Sequence, residues 1–212
     1  MYTCAHCGVT KCRTGDKENL PKNCPTNEPE TMAASVQRYR DDRVEEFFQA
    51  AAAVEAEGYG VWPRLREVGE FCRKMRYKKV GVAFCVGLKK EAAAVAEVLR
   101  AFGLEVESIA CKTGGVDKSE LGIPQEAYVR PGGFEAMCNP IAQAEIFNQA
   151  KTDFNVVVGL CVGHDSLFFK YSDAPVTTLI AKDRALAHNP AGAVYCIDGY
   201  MKKRVFPEDA KA

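Results

Sequence analysis

Cysteine is the residue type in this chain best equipped for chemistry. Its 212 residues include ten: Cys4, Cys7, Cys12, Cys24, Cys72, Cys85, Cys111, Cys138, Cys161 and Cys196. The first four form the run Cys4-x2-Cys7-x4-Cys12-x11-Cys24, followed directly by Pro25. A Cys-x-x-Cys turn aims two sulfurs at one point, and four thiolates suffice for a tetrahedral zinc ion or an iron–sulfur cluster. Zinc ribbons supply two such knuckles, whereas here the second pair is split by eleven residues. The closing Cys-Pro is shared with ferredoxin-type ligand runs, at a different spacing. One metal centre, zinc or iron–sulfur, is therefore expected on Cys4, Cys7, Cys12 and Cys24. His6, inside the first knuckle, reads as a solvent-exposed neighbour.

A second set appears once the cysteines are placed on elements. KVGVAF (79–84) reads as a buried strand and runs directly into Cys85. LEVESIA (104–110) runs into Cys111, and FNVVVGL (154–160) into Cys161. Cys138 precedes Asn139-Pro140, a helix start with Asn as N-cap and Pro in the first turn. In an open parallel sheet all strand carboxyl ends lie on one edge, where ligands bind. Cys85, Cys111 and Cys161 are thus expected on one edge, with Cys138 on a loop returning over it. The positive end of a helix favours thiolate at Cys138 and at Cys161. Core packing competes for any single one of them, because free cysteine is among the most buried residue types. Together the four could hold an iron–sulfur cluster or zinc, or act as reactive thiols. A cluster held by three of them would leave one iron open as a Lewis acid. Cys72, on an apolar helical stripe, and Cys196, within the apolar run 192–197, read as core.

Polar groups that packing does not require gather around the same edge. Cys161-Val-Gly-His-Asp-Ser166 is a glycine turn into a helix start, suited to an anion. Lys182 and Arg184 follow a fourth strand, VTTLIA (176–181), and His188-Asn189-Pro190 marks another capped helix start. His164, His188, Lys182 and Arg184 are the candidate catalytic groups: the imidazoles to move protons, the cations to hold an anionic substrate. Each histidine also reads as an ordinary polar residue at a helix start. No GxGxxG, P-loop or Gly-x-Ser-x-Gly pattern occurs, so nucleotide binding and a serine elbow are not indicated.

The elements needed to position these groups follow from periodicity. Helices are expected at 41–57, with Val44, Phe47, Phe48, Ala51 and Val54 on one stripe, and at 63–75, with Leu65, Val68, Phe71, Cys72 and Met75. Beyond them strands alternate with helices, which implies right-handed βαβ crossovers. The expected fold is α/β, with a doubly wound, mostly parallel sheet of four or five strands. Three regions are expected: a cysteine-rich metal-binding module at 1–30, helical packing segments at 31–78, and the α/β domain with its strand-end site at 79–212. The tail from Met201 to Ala212 is polar and expected to pack loosely.

Composition sets outer limits. Hydrophobic residues make up 47% and charged residues 26%, ordinary for a globular chain. The 28 basic residues cancel the 28 acidic ones, which weakens any case for nucleic-acid or anionic-membrane binding. The longest apolar run, Phe154 to Val162, is far below the roughly 18 residues of a membrane span. The opening Met-Tyr-Thr-Cys has neither a basic nor an apolar leader segment, so a reducing, cytoplasmic setting is expected, in which clustered cysteines hold metal or do redox chemistry.

Several of these segments together resemble a known family. They are Tyr2-Thr-Cys-Ala-His-Cys7 with Cys12 and Cys24-Pro25, Met137-Cys-Asn-Pro-Ile-Ala-Gln-Ala144, Gly159-Leu-Cys-Val-Gly-His-Asp-Ser166, and Lys182-Asp-Arg184 with His188-Asn-Pro190. Over nearly the whole chain they look like a cysteine-rich group from anaerobic bacteria and archaea, described as metal-binding proteins of unknown function. The resemblance implies metal binding in the cytoplasm of an anaerobe and implies no substrate. The expected function is a cytoplasmic metalloprotein with an iron–sulfur cluster and redox or cluster-assisted chemistry at the strand-end crevice. The alternative is a non-enzymatic zinc- or metal-handling or thiol-sensing protein. Expected partners are a small-molecule or anionic substrate and an electron-transfer partner.

Overall fold

The two most apolar runs of the chain become the two central strands of a parallel sheet. In the computed structural model, which describes residues 1–208, β1 (Lys79–Phe84) pairs with β3 (Phe154–Val158), and every residue of β3 is buried. Continuous apolar runs of this kind suit strands with no solvent-facing side. β2 (Glu105–Ala110) adds to β1, and β4 (Val176–Ile180) adds to β3, giving the order β2-β1-β3-β4 with all pairs parallel. The chain leaves β1 for β2 on one side and then crosses to β3 on the other. The carboxyl ends of β1 and β3 therefore flank the point where the strand order reverses, the usual place for a ligand crevice.

The connections are helical, as periodicity predicts. They are α4 (Lys89–Ala101) between β1 and β2, α5 (Pro140–Ala150) before β3, and α6 (His164–Tyr171) before β4. Ahead of β1 lies α3 (Arg64–Lys74), which buries Val68, Phe71 and Cys72 and packs with α4, while α5 packs with α6. Cys72 has no exposed surface, and burial pushes its thiol up to about 12, so it is inert core as expected. β3 ends two residues earlier than its apolar run predicts. Gly159 turns left-handed at φ +71, and a Cβ there would lie 2.8 Å from Leu88 Cδ2. Cys161 consequently follows its strand by three residues instead of directly.

Two expectations near the C-terminus are corrected. Cys196 is exposed, along with Val194 and Tyr195, because the apolar run at 192–197 folds into the short α7 (Ala191–Tyr195), which buries none of its residues. Asn189 does not cap that helix: it starts after Pro190 with no side-chain cap. The tail is tied down at its start, where Met201 is buried and its N–H donates to the Cys196 carbonyl at 3.1 Å before α8 (Lys202–Val205). The last part of the expected loose tail, residues 209–212, lies outside the described residues.

The chain divides into two units, Met1–Glu57 and Gly58–Ala212. In the first, none of the initial 49 residues is buried. Residues 1–28 contain three short 3-10 turns at Cys4–His6, Lys11–Arg13 and Pro25–Asn27. The helix α1 (Pro29–Arg38), absent from the sequence-based expectation, begins with Pro in its first turn. It is followed by α2 (Asp42–Gly58), whose expected apolar stripe is largely uncovered: Val44, Phe48 and Ala51 are exposed, and Ala50 and Val54 are buried. A segment without a core of its own must draw order from local hydrogen bonds or a cross-link.

The sheet centre is packed tightly enough to test. A Cβ on Gly81, in the middle of β1, would meet the buried Asn155 side chain and come within 2.8 Å of the Phe147 ring. Asn155 is itself held, accepting from Thr152 Oγ1 at 2.9 Å and donating to Ser172 Oγ at 2.8 Å. Gly81→Ala is expected to destabilise the α/β unit by about 1–3 kcal/mol through overpacking, read as a lower urea midpoint at unchanged slope.

Candidate functional site

The ladder of the sheet continues one residue past β1 and β2. The Cys85 N–H donates to the Val158 carbonyl at 3.1 Å, and the Cys111 N–H to the Phe84 carbonyl at 2.8 Å. These bonds set two cysteine backbones at the sheet edge. The third is brought by the start of α5. Asn139 N–H donates to the Cys111 carbonyl at 2.7 Å, while Asn139 Oδ1 caps the helix by accepting from Ala142 N–H at 3.1 Å. That double tie places Cys138 beside Cys111. The fourth, Cys161, accepts at its carbonyl from the N–H groups of His164 and Asp165, both at 3.0 Å, at the start of α6. Cys85, Cys111, Cys138 and Cys161 line one narrow crevice with Pro140, Gln143, Leu160 and His164.

The long return loop between Cys111 and Cys138 is organised by one carboxylate. Asp117 accepts from Ser119 N–H at 2.8 Å, Ser119 Oγ at 2.6 Å, Tyr128 Oη at 2.5 Å and Glu135 N–H at 3.0 Å. These donors, the Ser119 hydroxyl first, hold its carboxyl below the usual carboxylate range. Met137 N–H then donates to Val116 C=O at 2.8 Å, delivering the chain to Cys138.

The sulfurs sit in a charge pattern. Cys111 Sγ stands between Cys138 and Cys85, close enough for each to act on its thiol, and accepts from Val86 N–H at 3.4 Å. Its position between two sulfurs, together with burial, pushes its own thiol up. The same closeness holds the Cys85 and Cys138 thiols well below the ordinary range, against the opposing effect of burial. Lys182 lies against Cys85, Lys112 against Cys138, and Arg184 Nη2 donates to Cys161 Sγ at 3.1 Å. Three cysteines thus have a cation each, and the central Cys111 has none.

Two buried polar atoms near the sulfurs have no protein partner: Gln143 Oε1 and His164 Nδ1. Gln143 is fully buried, and its Nε2 donates to the Ile109 carbonyl at 2.6 Å and the Phe84 carbonyl at 3.3 Å, which commits the nitrogen end of the amide to the strand ends. Lys112 and Gln143 were given no role from sequence. The signals for them were adjacency to Cys111 and, for Gln143, a place one turn into α5 within the segment Met137–Ala144.

His188 stands apart from this group. Its Nδ1 accepts from Asp183 N–H at 3.2 Å, its own N–H donates to Asp183 C=O at 2.8 Å, and it takes φ +64. It does not line the pocket, and its geometry closes the turn that carries Arg184.

In the first unit, Cys4, Cys7 and Cys24 line a separate concavity of about 180 Å³ together with His6, and Cys12 is not among its walls. The N–H groups of Thr10 and Val9 point at the Cys7 sulfur and lower its thiol from the ordinary range. Among the described residues, no three or more His, Cys, Asp or Glu side chains stand together as a ready metal-coordinating group. Either cysteine set would need side-chain rotation to close on an ion.

Asp117→Ala leaves the Tyr128 hydroxyl without its acceptor and loosens the approach to Cys138. Peptide mass mapping after a short iodoacetamide pulse on reduced protein should show faster labelling of Cys138 and unchanged protection of Cys72.

Residues 24–179 match a family model described as Protein of unknown function (DUF1847). The matched span includes all four strand-end cysteines and Cys24, and ends just before Lys182 and Arg184. Over 200 residues the chain is 43% identical to Uncharacterized protein MJ0455 of Methanocaldococcus jannaschii, covering 94% of this chain and 96% of that one. With three-quarters of its length inside the family model and an archaeal relative aligned nearly end to end, the chain belongs to the DUF1847 family.

Proposed function

We propose that this protein is a cytoplasmic metalloprotein whose strand-end crevice holds an iron–sulfur cluster and uses it for redox or cluster-assisted chemistry. One observation carries the reading: four cysteines from three strand ends and one helix start line a single pocket, and three of them have a cation of their own. Soft sulfur donors suit iron–sulfur clusters and zinc alike. Thiols already held toward the ionised form at Cys85 and Cys138 lower the cost of deprotonation on metal binding. N–H groups of Val86 and Gly87 aimed at sulfur add the outer hydrogen bonds that tune such centres.

When bound, a cluster supplies one-electron transfer or a Lewis-acidic iron. The chain's own residues supply the rest. Lys182, Lys112 and Arg184 offset the negative charge of the thiolates. His164 can hold or move a proton at Nδ1, the ring atom without a protein partner. A closed four-cysteine zinc site is structural and has no use for these groups, which favours the cluster. A doubly wound arrangement of the sheet suits a crevice at the β1/β3 switch point. In the first unit, Cys4, Cys7 and Cys24, with Cys12 from the following turn, would hold a second soft metal centre that orders residues 1–28.

A second reading rests on a different observation. Cys111 lines one pocket with Cys85 and Cys138 and is their neighbour, as a dithiol able to close would be. One such pair would form a disulfide, giving up two protons and two electrons to a disulfide or peroxide oxidant.

Iron, zinc and acid-labile sulfide per chain, measured on anaerobically purified protein, separate the readings. The wild type should be brown, with iron and sulfide. Cys85→Ser and Cys138→Ser should lose the strand-end share. Cys7→Ser should keep that share and the α/β fold while residues 1–28 become protease-sensitive. Zinc without sulfide would sink the cluster reading. Absence of metal, with a mapped disulfide from Cys111 to Cys85 or Cys138, would establish the thiol reading in its place.

A further inference from the structure

We infer that His164 is a ligand of the strand-end metal centre: its Nδ1 completes a donor set with the sulfurs of Cys85, Cys111 and Cys138, and Cys161 stays at the rim. This assignment rests on the reading of the crevice as a soft metal centre, and it names the ligands within it.

His164 lines the crevice beside the cysteines, and among the described residues its buried Nδ1 has no hydrogen-bond partner. An unpaired buried nitrogen is costly, and a bond to a metal removes that cost. Imidazole suits zinc and iron alike. The other unpaired atom in the wall is Gln143 Oε1, on an amide whose nitrogen already donates to the Ile109 and Phe84 carbonyls. A carboxamide oxygen is the harder donor, so a centre built on thiolates takes the nitrogen in preference.

The cysteines themselves divide three and one. Cys85 and Cys111 sit at the ends of the backbone ladder, and the Asn139 N–H bond to the Cys111 carbonyl sets Cys138 beside them. Cys111 has Cys85 and Cys138 as its sulfur neighbours. Cys161 follows the end of β3 by three residues, and its sulfur accepts from Arg184 Nη2 at 3.1 Å. Drawing Cys161 onto a metal would break that bond, whereas His164 Nδ1 gives up nothing by ligating.

His164 opens α6, where its N–H donates to the Cys161 carbonyl at 3.0 Å. Its ring lies close enough to Cys138 to act on that thiol. One turn thus offers a nitrogen to the crevice and a sulfur to the guanidinium at the rim. On loading, the three thiols lose their protons and the imidazole binds as the neutral ring, with its proton on Nε2. Its Nδ1 lone pair is then committed, so proton transfer at that atom belongs to the unloaded form. A fourth ligand from the chain also closes the position that three cysteines alone would leave open, which favours redox over Lewis-acid chemistry.

Zinc ion is the probe, because it reports the donor set without a cluster having to assemble. It is added to reduced, chelator-treated full-length protein carrying Cys7→Ser and Cys24→Ser, which silence the first unit. X-ray absorption fine structure at the zinc edge should give three sulfurs at about 2.3 Å and one nitrogen at about 2.0 Å, with the outer scattering of one imidazole ring. His164→Ala should lose the ring scattering, and Cys161→Ser should keep both the ring and the three sulfurs. His164→Cys, which returns a donor to the same position, should give four sulfurs and no ring. Four sulfurs in the parent protein, or three closed by an oxygen, would overturn the assignment and leave a strand-end metal centre standing. Ring scattering that persists in His164→Ala would overturn it as well. If no zinc binds at all, the metal-centre reading fails and takes this assignment with it, so zinc per chain tells the two failures apart.

Discussion

The structure around the pocket depends on a ladder of backbone hydrogen bonds that continues one residue beyond the strands. Parallel pairing puts every strand carboxyl end on one edge. The bonds from Cys85 N–H to Val158 and from Cys111 N–H to Phe84 then carry two thiols onto that edge with no freedom in their backbones. Bonds from Asn139 N–H to the Cys111 carbonyl and from Met137 N–H to the Val116 carbonyl return a loop of more than twenty residues to its starting point. Cys138 is thereby a neighbour of Cys111 in space, although far from it in sequence. Asp117, which gathers four donors from the same loop, makes that return a defined path.

Three ionisable thiols close together are electrostatically unfavourable unless protons or cations intervene. Both devices are present. Cys111 sits between Cys138 and Cys85 as the thiol that keeps its proton, and cations stand beside Cys85, Cys138 and Cys161. Cys72 shows the contrast: more deeply buried within the same unit and with no cation beside it, its thiol is raised, by burial first. Burial alone does not make a site. The pairing of each rim sulfur with a positive group is what distinguishes the sheet edge from the core.

Much of this edge was legible from residue order. A cysteine directly after a β-branched apolar run is a positional statement, and for Cys85 and Cys111 the structure has that adjacency as read. For Cys161 the run misled by two residues, because apolar character continues through Gly159 and Leu160 after the backbone has already turned left-handed. Cys196 misled for a related reason: six apolar residues in a row say nothing about whether a partner surface covers them. His188 was read as a chemical group, and its ring nitrogen instead receives a backbone N–H in a turn. Lys112 and Gln143 were missed because their roles arise only when the loop and α5 fold back over the strand ends. Those are contacts between elements, and no local pattern encodes them. In the first unit, α2 carries helical periodicity, but its stripe stays exposed at Val44 and Phe48, so periodicity alone did not predict burial.

The central claim, that the strand-end thiols act together on one soft metal centre, is tested most directly by anomalous diffraction at the iron and zinc edges from crystals grown anaerobically. An iron peak is expected in the pocket between β1 and β3, with the sulfurs of Cys85, Cys111 and Cys138 drawn in to about 2.3 Å, the usual length of a metal–thiolate bond. Metal confined to the first unit, with the four strand-end sulfurs left as thiols or joined as a disulfide, would contradict it.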